Sequence, residues 1–282
     1  MSADWRSLLF VSADDPRRLA NVADRGAEAV ILDLEDAVSI LRKPAARETL
    51  PDAIQRLAGL GQPLVVRVNA GWLDLAADLQ AAVRPGLAAI MVPGAGDPWR
   101  LAALAELLDE IEAARDLPHG AIGVIALVES ASGLANLQAL AAAPRVIGLA
   151  LGTEDLSLEV GVPPSPAFLD MPARQIALAA AGAGIMAFAA PISIAEYADM
   201  DAYRSAAATA RAYGATGALC IHPRQVEVAN ATFRPSEAEI ADARAVVAHW
   251  EAIGGAGVVS LNGRMIDLPV AERAKRLLAR PI

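Results

Sequence analysis

Eight short apolar runs recur along the chain, and helix-like segments separate them. The runs are Ser7–Ser12, Ala29–Glu35, Leu64–Asn69, Ala88–Pro93, Ile122–Glu129, Val146–Gly152, Ile185–Pro191 and Ala218–Pro223. Each is continuous rather than alternating. That pattern belongs to parallel strands buried on both faces. The intervening segments carry helix-start signals, as in "DPRRLANVADRGA" and "DPWRLAALAELLDEIEAARD", where proline follows aspartate just inside the first turn. Eight strands alternating with helices predict an α/β fold of the (β/α)8 TIM-barrel class, which typically needs about 250 residues. A doubly wound open sheet is the alternative, but no G-x-G-x-x-G follows the first strand.

The rhythm changes after the eighth run. "PSEAEIADARAVVAHWEAIGG" reads as a helix ending at glycine. "AGVVSLNGRMIDL" reads as a hairpin turning at Asn262-Gly263, and "PVAERAKRLLAR" as a last helix. The expected organisation is a barrel over residues 1–230 and a helix–hairpin–helix extension over 231–282, packing on the barrel or on a neighbouring subunit.

Composition narrows the function. A net charge of -9 argues against a general nucleic-acid binder. The N-terminal apolar run is too short for a secretory signal, and no run is long enough to span a bilayer without charge or proline. The single cysteine, Cys220, offers no intramolecular disulfide and no zinc cluster, which fits a reducing, cytoplasmic location.

In a barrel the active site forms at the C-terminal ends of the strands. There the second strand ends in Asp33, Glu35 and Asp36, and the third in Arg67 and Asn69. The fifth gives Glu129, the sixth Glu154 and Asp155, and the eighth His222. Carboxylates with little histidine or cysteine suit a hard cation, Mg²⁺ or Mn²⁺, and Glu129 and Asp155 are the expected ligands. The competing reading is that either acid caps the following helix. The second-strand acids have structural alternatives too: backbone N–H groups, or pairing with Arg6, Arg42 or Lys43. Arg67, set between valines, is either an internal ion-pair partner of those acids or a planar donor for a substrate carboxylate or enolate oxygen; both can hold. His222 is either a hydrogen-bonded residue at the barrel mouth or a base.

The segments "RSLLFVSADDP", "GAEAVILDLEDAV", "VVRVNA", "IALVESASGL", "LALGTEDLS", "CIHPRQVEVAN" and "RMIDLPVAERAKRLL" occur in that order. Together they resemble the HpcH/HpaI aldolase and citrate lyase β-subunit family, in its citrate-lyase-like branch. The resemblance implies a (β/α)8 barrel assembled as a homotrimer or dimer of trimers. It implies Mg²⁺-dependent cleavage or formation of a carbon–carbon bond in 3-hydroxyacyl thioesters such as citryl-, malyl- or citramalyl-CoA. It places metal-binding residues at Glu129 and Asp155 and a substrate-contacting arginine at Arg67. Glu35 and Asp36 fall near the metal's water shell. Asp267 becomes an acid that reaches a neighbouring subunit's active site. The expected catalytic residues are thus Arg67, Asp267 and Asp36, and the expected substrate-binding residues Arg67, Glu35 and Asn69.

Three loops depart from the family's pattern. The first strand ends in Ser12-Ala13-Asp14-Asp15-Pro16 instead of Pro-Gly-Asn/Asp-Arg/Lys-Pro. The fourth ends in Pro93-Gly94-Ala95-Gly96 instead of Pro-Lys-Val-Glu, and the seventh in Pro191-Ile192-Ser193, without the loop aspartate. Coenzyme A recognition is therefore open. The alternatives are an aldolase for free 2-keto-hydroxy acids, an acyl-CoA thioesterase, and a subunit of a multi-protein citrate lyase complex.

Overall fold

The computed structural model describes residues 5–255 and 257–279. Ala256 of the expected hairpin segment and Arg280 of the expected last helix lie outside them. The strands are β1 (Ser7–Ser12), β2 (Ala29–Asp33), β3 (Leu64–Arg67), β4 (Leu87–Val92), β5 (Gly123–Val128), β6 (Val146–Leu151), β7 (Met186–Phe188) and β8 (Ala218–Cys220). All are parallel, in the order β7-β6-β5-β4-β3-β2-β1-β8. A parallel bridge between Phe188 and Gly217 joins the two ends, so the sheet closes into a (β/α)8 barrel.

The connecting helices are α1 (Pro16–Asn21), α2 (Lys43–Gly59), α3 (Trp72–Ala82), α4 (Pro98–Ala114), α5 (Ala131–Ala135) and α6 (Leu137–Ala141), followed by α7 (Thr153–Val160), α8 (Pro166–Ala183), α9 (Met200–Tyr213) and α10 (Pro223–Phe233). The Asp-Pro starts act as read: Asp15 accepts the N–H groups of Arg17 and Arg18, and Asp97 accepts that of Trp99.

Continuous apolar strands serve two cores at once. Leu8, Ile31, Val65, Met91, Ile125 and Phe188 point into the barrel. Their neighbours Leu9, Val30, Leu32, Val66, Ile90 and Val124 pack outward against the helices. Full burial of each such side chain is worth about 1.5–3 kcal/mol.

Several strands end earlier than the apolar runs suggest. β2 stops at Asp33 rather than Glu35, β3 at Arg67 rather than Asn69, and β5 at Val128 rather than Glu129. Single lateral bonds continue past the ladder, from Leu34 N–H to Arg67 O (3.0 Å), Val68 N–H to Met91 O (3.1 Å) and Gly152 N–H to Val128 O (2.9 Å). The chain then turns toward its helix. Glu35, Asp36, Asn69 and Glu129 thereby sit on rim loops.

The chain divides into two compact units after Phe233. In the second, α11 (Glu237–Ala252) starts in a capping box between Ser236 and Glu239. Strands β9 (Val259–Leu261) and β10 (Arg264–Ile266) pair antiparallel around Asn262-Gly263, with φ of 51° and 76° as a type I′ turn requires. The helix α12 (Leu268–Leu278) follows, capped by Asp267. Val246, Trp250, Ile266 and Ala271 form this unit's own small core. No described helix is long and apolar enough to cross a membrane.

Candidate active site

A cavity of about 370 Å³ opens at the C-terminal ends of the strands. Its lining includes Asp33 and Asp36 from the β2 end, Arg67 from β3, Glu129 from β5, and Glu154 and Asp155 from the first turn of α7. Six of the polar residues that the sequence places at the strand ends thus meet in one place. Glu35 and Asn69 are close by but outside the lining.

Arg67 and Asp33 form a two-bond clamp on this rim. Nε of Arg67 donates to Asp33 Oδ1 at 2.7 Å and Nη2 to Oδ2 at 2.6 Å. Asp33 is buried, and it also accepts the N–H groups of Glu35 (2.9 Å) and Ala37 (3.1 Å), so it shapes the β2 loop as it grips the guanidinium. Nη1 of Arg67 meets Glu35 at 2.8 Å and Asp36 at 3.2 Å. The internal ion pair is therefore real, and Arg6, Arg42 and Lys43 are not its cations. Arg6 pairs with Glu28 (2.5 Å), Arg42 with Asp14 (3.0 Å), and Lys43 bonds Asn69. Burial pushes Glu35 up to about 8, since its neighbouring carboxylates add to desolvation while Arg67 only partly offsets them. Arg67 itself is held charged: burial opposes its charge, but Asp33, Glu35 and Asp36 outweigh that.

Glu129 leaves β5 into a tight space. Its Oε1 accepts the Gly94 N–H at 2.5 Å. A Cβ on Gly152 would lie 2.6 Å from the Glu129 side chain, so only glycine lets the β6 end pass this carboxylate. Burial pushes Glu129 up to about 7; the Gly94 N–H counters this, and the Asp155 charge adds to it. Neither Glu129 nor Asp155 is a helix cap. Ser130 caps α5, and Gly152 occupies the α7 N-cap position. Two hard carboxylates are thus held together at a charge cost that a cation would relieve. No group of three or more candidate ligands converges among the described residues. A metal held here would take its remaining ligands from water or substrate, as Mg²⁺ commonly does.

Asn69 is placed differently from the expectation of substrate contact. It is buried, and its Nδ2 donates to Leu34 O (3.0 Å) and Asp78 Oδ2 (2.8 Å). Lys43 donates to its Oδ1. Asp78 also accepts the Asn69 N–H (2.7 Å) and Arg47 Nε (2.6 Å). Asn69 therefore straps the β2 loop to the β3 loop. Sequence reading missed Asp78, yet a signal was there. Leu75, Asp78, Leu79 and Ala82 share the buried face of α3, and an acid on such a face needs a partner.

Glu154 faces the cavity as well, accepting Ser193 Oγ at 2.7 Å. His222 lies outside the lining. Its Nδ1 accepts the Arg224 N–H (3.2 Å), and its ring stacks on Tyr197. In the second unit, Asp267 Oδ1 accepts the Val270 N–H at 3.2 Å.

With this geometry in place, comparison with known proteins decides the family. The model of the HpcH/HpaI aldolase/citrate lyase family matches residues 6–223. This chain belongs to that family. It is an enzyme of that aldolase and lyase family, and its relatives cover nearly all of its length. The citrate lyase subunit beta of Leuconostoc mesenteroides subsp. cremoris is 33% identical over 97% of this chain and 92% of its own. The (3S)-malyl-CoA thioesterase of Cereibacter sphaeroides is 32% identical over 98% and 94%. Crystalline CitE from Mycobacterium tuberculosis, in complex with magnesium, acetoacetate and coenzyme A, superposes with a TM-score of 0.75. It is 33% identical, covering 99% of this chain and 98% of that one.

Proposed function

We propose that this chain is a Mg²⁺-dependent carbon–carbon lyase that cleaves, or forms, the C2–C3 bond of a 3-hydroxyacyl thioester. The observation that carries this reading is the meeting of Glu129, Asp155 and Arg67 around one cavity. The magnesium- and coenzyme A-bound relative supports both the metal and the thioester.

Glu129 and Asp155 would hold the metal. When bound, it supplies electrophilic stabilisation of the keto oxygen that develops as the bond breaks. Arg67 supplies the complementary positive charge for the thioester enolate. Its grip on Asp33 fixes the plane of the guanidinium. Asp36, at 3.2 Å and with its side chain 71% exposed, is the partner a substrate oxygen can displace.

Proton bookkeeping is simple. Asp36 takes the hydroxyl proton, the C2–C3 electron pair passes into the enolate, and a keto acid leaves. Asp267, brought by the C-terminal unit of a neighbouring subunit in a homotrimer, passes a proton to C2; exchange with water then takes the proton from Asp36 and restores that of Asp267, which closes the cycle. Glu35 and Asn69 act on the substrate through Arg67 and the two loops they steady.

A panel of hydroxyacyl thioesters and free hydroxy-keto acids, with Mg²⁺ and keto-acid release as the readout, tests this reading. Release from thioesters alone supports it; release from free acids alone overturns it in favour of an aldolase. The thioesterase relative favours one second reading, hydrolysis after the same enolate chemistry. Free thiol appearing with the intact hydroxy acid would identify that route.

A further inference from the structure

We propose that the acyl group cleaved here carries one carboxylate, with hydrogen or a small alkyl group at the remaining position, and not a second carboxylate. This rests on the reading of the cavity as a hydroxyacyl-thioester lyase, and it adds the substrate class.

Charge is the first argument. Among the described residues lining the cavity, the cations are Arg18 and Arg67, and they face Asp33, Asp36, Glu129, Glu154 and Asp155. A divalent cation at Glu129 and Asp155 still leaves carboxylates in excess. Arg67 already meets three acids. Arg18, with its side chain 74% exposed, sits beside Asp15 at 3.3 Å. Arg42, at the start of α2, is taken by Asp14 of the β1 loop. One substrate carboxylate can bind the metal; among the described residues lining the cavity, a second finds no cation without a partner.

Shape is the second. In the closed ring, β7 stands opposite β3, four strands away in either direction. The lining across from Arg67 is therefore built by Ile194 after β7, Leu219 and Ile221 at the β8 end, and Leu151 of β6. The polar side chain nearest Ile194 in sequence, Ser193, donates its hydroxyl to Glu154 and so presents another acid. A carboxylate against this wall would lose water and gain no donor, whereas a methyl group would gain apolar contact. The backbone there is fixed, with Ile194 N–H bonded to Thr153 Oγ1 (3.3 Å) and its carbonyl accepting Gln225 Nε2 (3.3 Å), so the wall keeps its place.

The test compares keto acids and thioesters on the full-length protein. Calorimetry with Mg²⁺ present measures binding of pyruvate, 2-oxobutyrate and oxaloacetate, with 2-oxobutyrate controlling for size. One uncompensated carboxylate should weaken oxaloacetate by about tenfold or more relative to 2-oxobutyrate. Malyl-, citramalyl- and citryl-thioesters on one carrier should show the same order in kcat/KM. Ile194→Arg should shift the ratio toward the dicarboxylates by about tenfold. Ile221→Arg, at a position 38% exposed, repeats this if the first variant does not fold. Oxaloacetate binding as tightly as 2-oxobutyrate, no binding of any keto acid, or an unchanged ratio in a folded arginine variant would each overturn the proposal. Rapid citryl cleavage would overturn it and leave the lyase reading standing. No cleavage of any thioester would remove the lyase reading, while the calorimetric ratio would still decide the selectivity.

Discussion

Asp33 grips Arg67 through both carboxylate oxygens, at 2.7 and 2.6 Å, and the same two oxygens accept two N–H groups of the loop that carries Glu35 and Asp36. One buried acid therefore sets both the guanidinium plane and the loop beside it. Arg67→Lys keeps the charge and loses the fork. A large fall in kcat is expected together with a lower melting temperature, because Asp33 loses half its clamp. Removing the cation altogether, as in Arg67→Ala, should cost about 3–5 kcal/mol in denaturant unfolding. Unchanged stability in that variant would deny the clamp.

The Asn69 strap predicts an effect at a distance. Asp78→Asn keeps the shape but removes the charge that holds Arg47 and the Asn69 N–H groups. The β2 and β3 loops should loosen, lowering kcat more than it raises KM. Asp78→Glu should recover little, since an extra methylene at this fully buried position displaces the carboxylate from Asn69 and Arg47. Normal kinetics in Asp78→Asn would show that the strap does not position Arg67.

Metal binding should depend on pH. Glu129 is pushed up to about 7, so below that pH a proton competes for the site. Mg²⁺ affinity, measured by calorimetry, should fall by about tenfold for each pH unit below 7 and flatten above 8. An affinity constant from pH 6 to pH 8 would remove Glu129 from the ligand set.

At the opposite end of the barrel, Glu112 accepts the N–H groups of Gly120 and Ile122, both at 2.9 Å, and pairs with Arg145. Burial raises its pKa, but Arg145 and the two N–H groups outweigh burial and the net shift is downward. The stability it contributes is full above the unfolded-state value and is lost as pH falls through the lower folded-state value. Glu112→Gln should lower stability by about 3–5 kcal/mol at neutral pH and flatten the acid limb of the pH–stability curve. Its kcat should match wild type, since this face carries no chemistry.

The cross-subunit role proposed for Asp267 predicts complementation. Asp267→Ala and Asp155→Ala oligomers should each be inactive, and mixed oligomers should regain part of the activity through intact composite sites. Two folded, inactive variants that show no recovery in verified mixed oligomers would contradict the role.

The barrel was legible because burial on both strand faces leaves an unmistakable apolar run, as in Ala29–Leu32 and Val124–Val128. The hairpin was legible because Asn262-Gly263 is chemistry that one turn type demands. Strand ends were less legible: hydrophobicity continues into the lateral bonds past the ladder, so Glu35, Asn69 and Glu129 read as strand residues. Within the site, the carboxylates were visible one by one. Arg67 as partner of the second-strand acids was visible too, since a cation between valines needs one; the other partners were not, because pairing depends on distances between segments far apart in sequence, such as Lys43 to Asn69 and Gly94 to Glu129. The notable case is Asn69, which sequence alone presents as a rim donor and whose bonds all turn inward.

The central claim is metal-dependent carbon–carbon cleavage at Glu129 and Asp155, and keto-acid release from a hydroxyacyl thioester tests it most directly. Wild type and Asp155→Ala, matched for melting temperature, are assayed with Mg²⁺ and with a chelator. The account predicts equal amounts of keto acid and shortened thioester from wild type with Mg²⁺, and none from the chelated enzyme or from Asp155→Ala. Full release by Asp155→Ala, or by wild type in chelator, would contradict it.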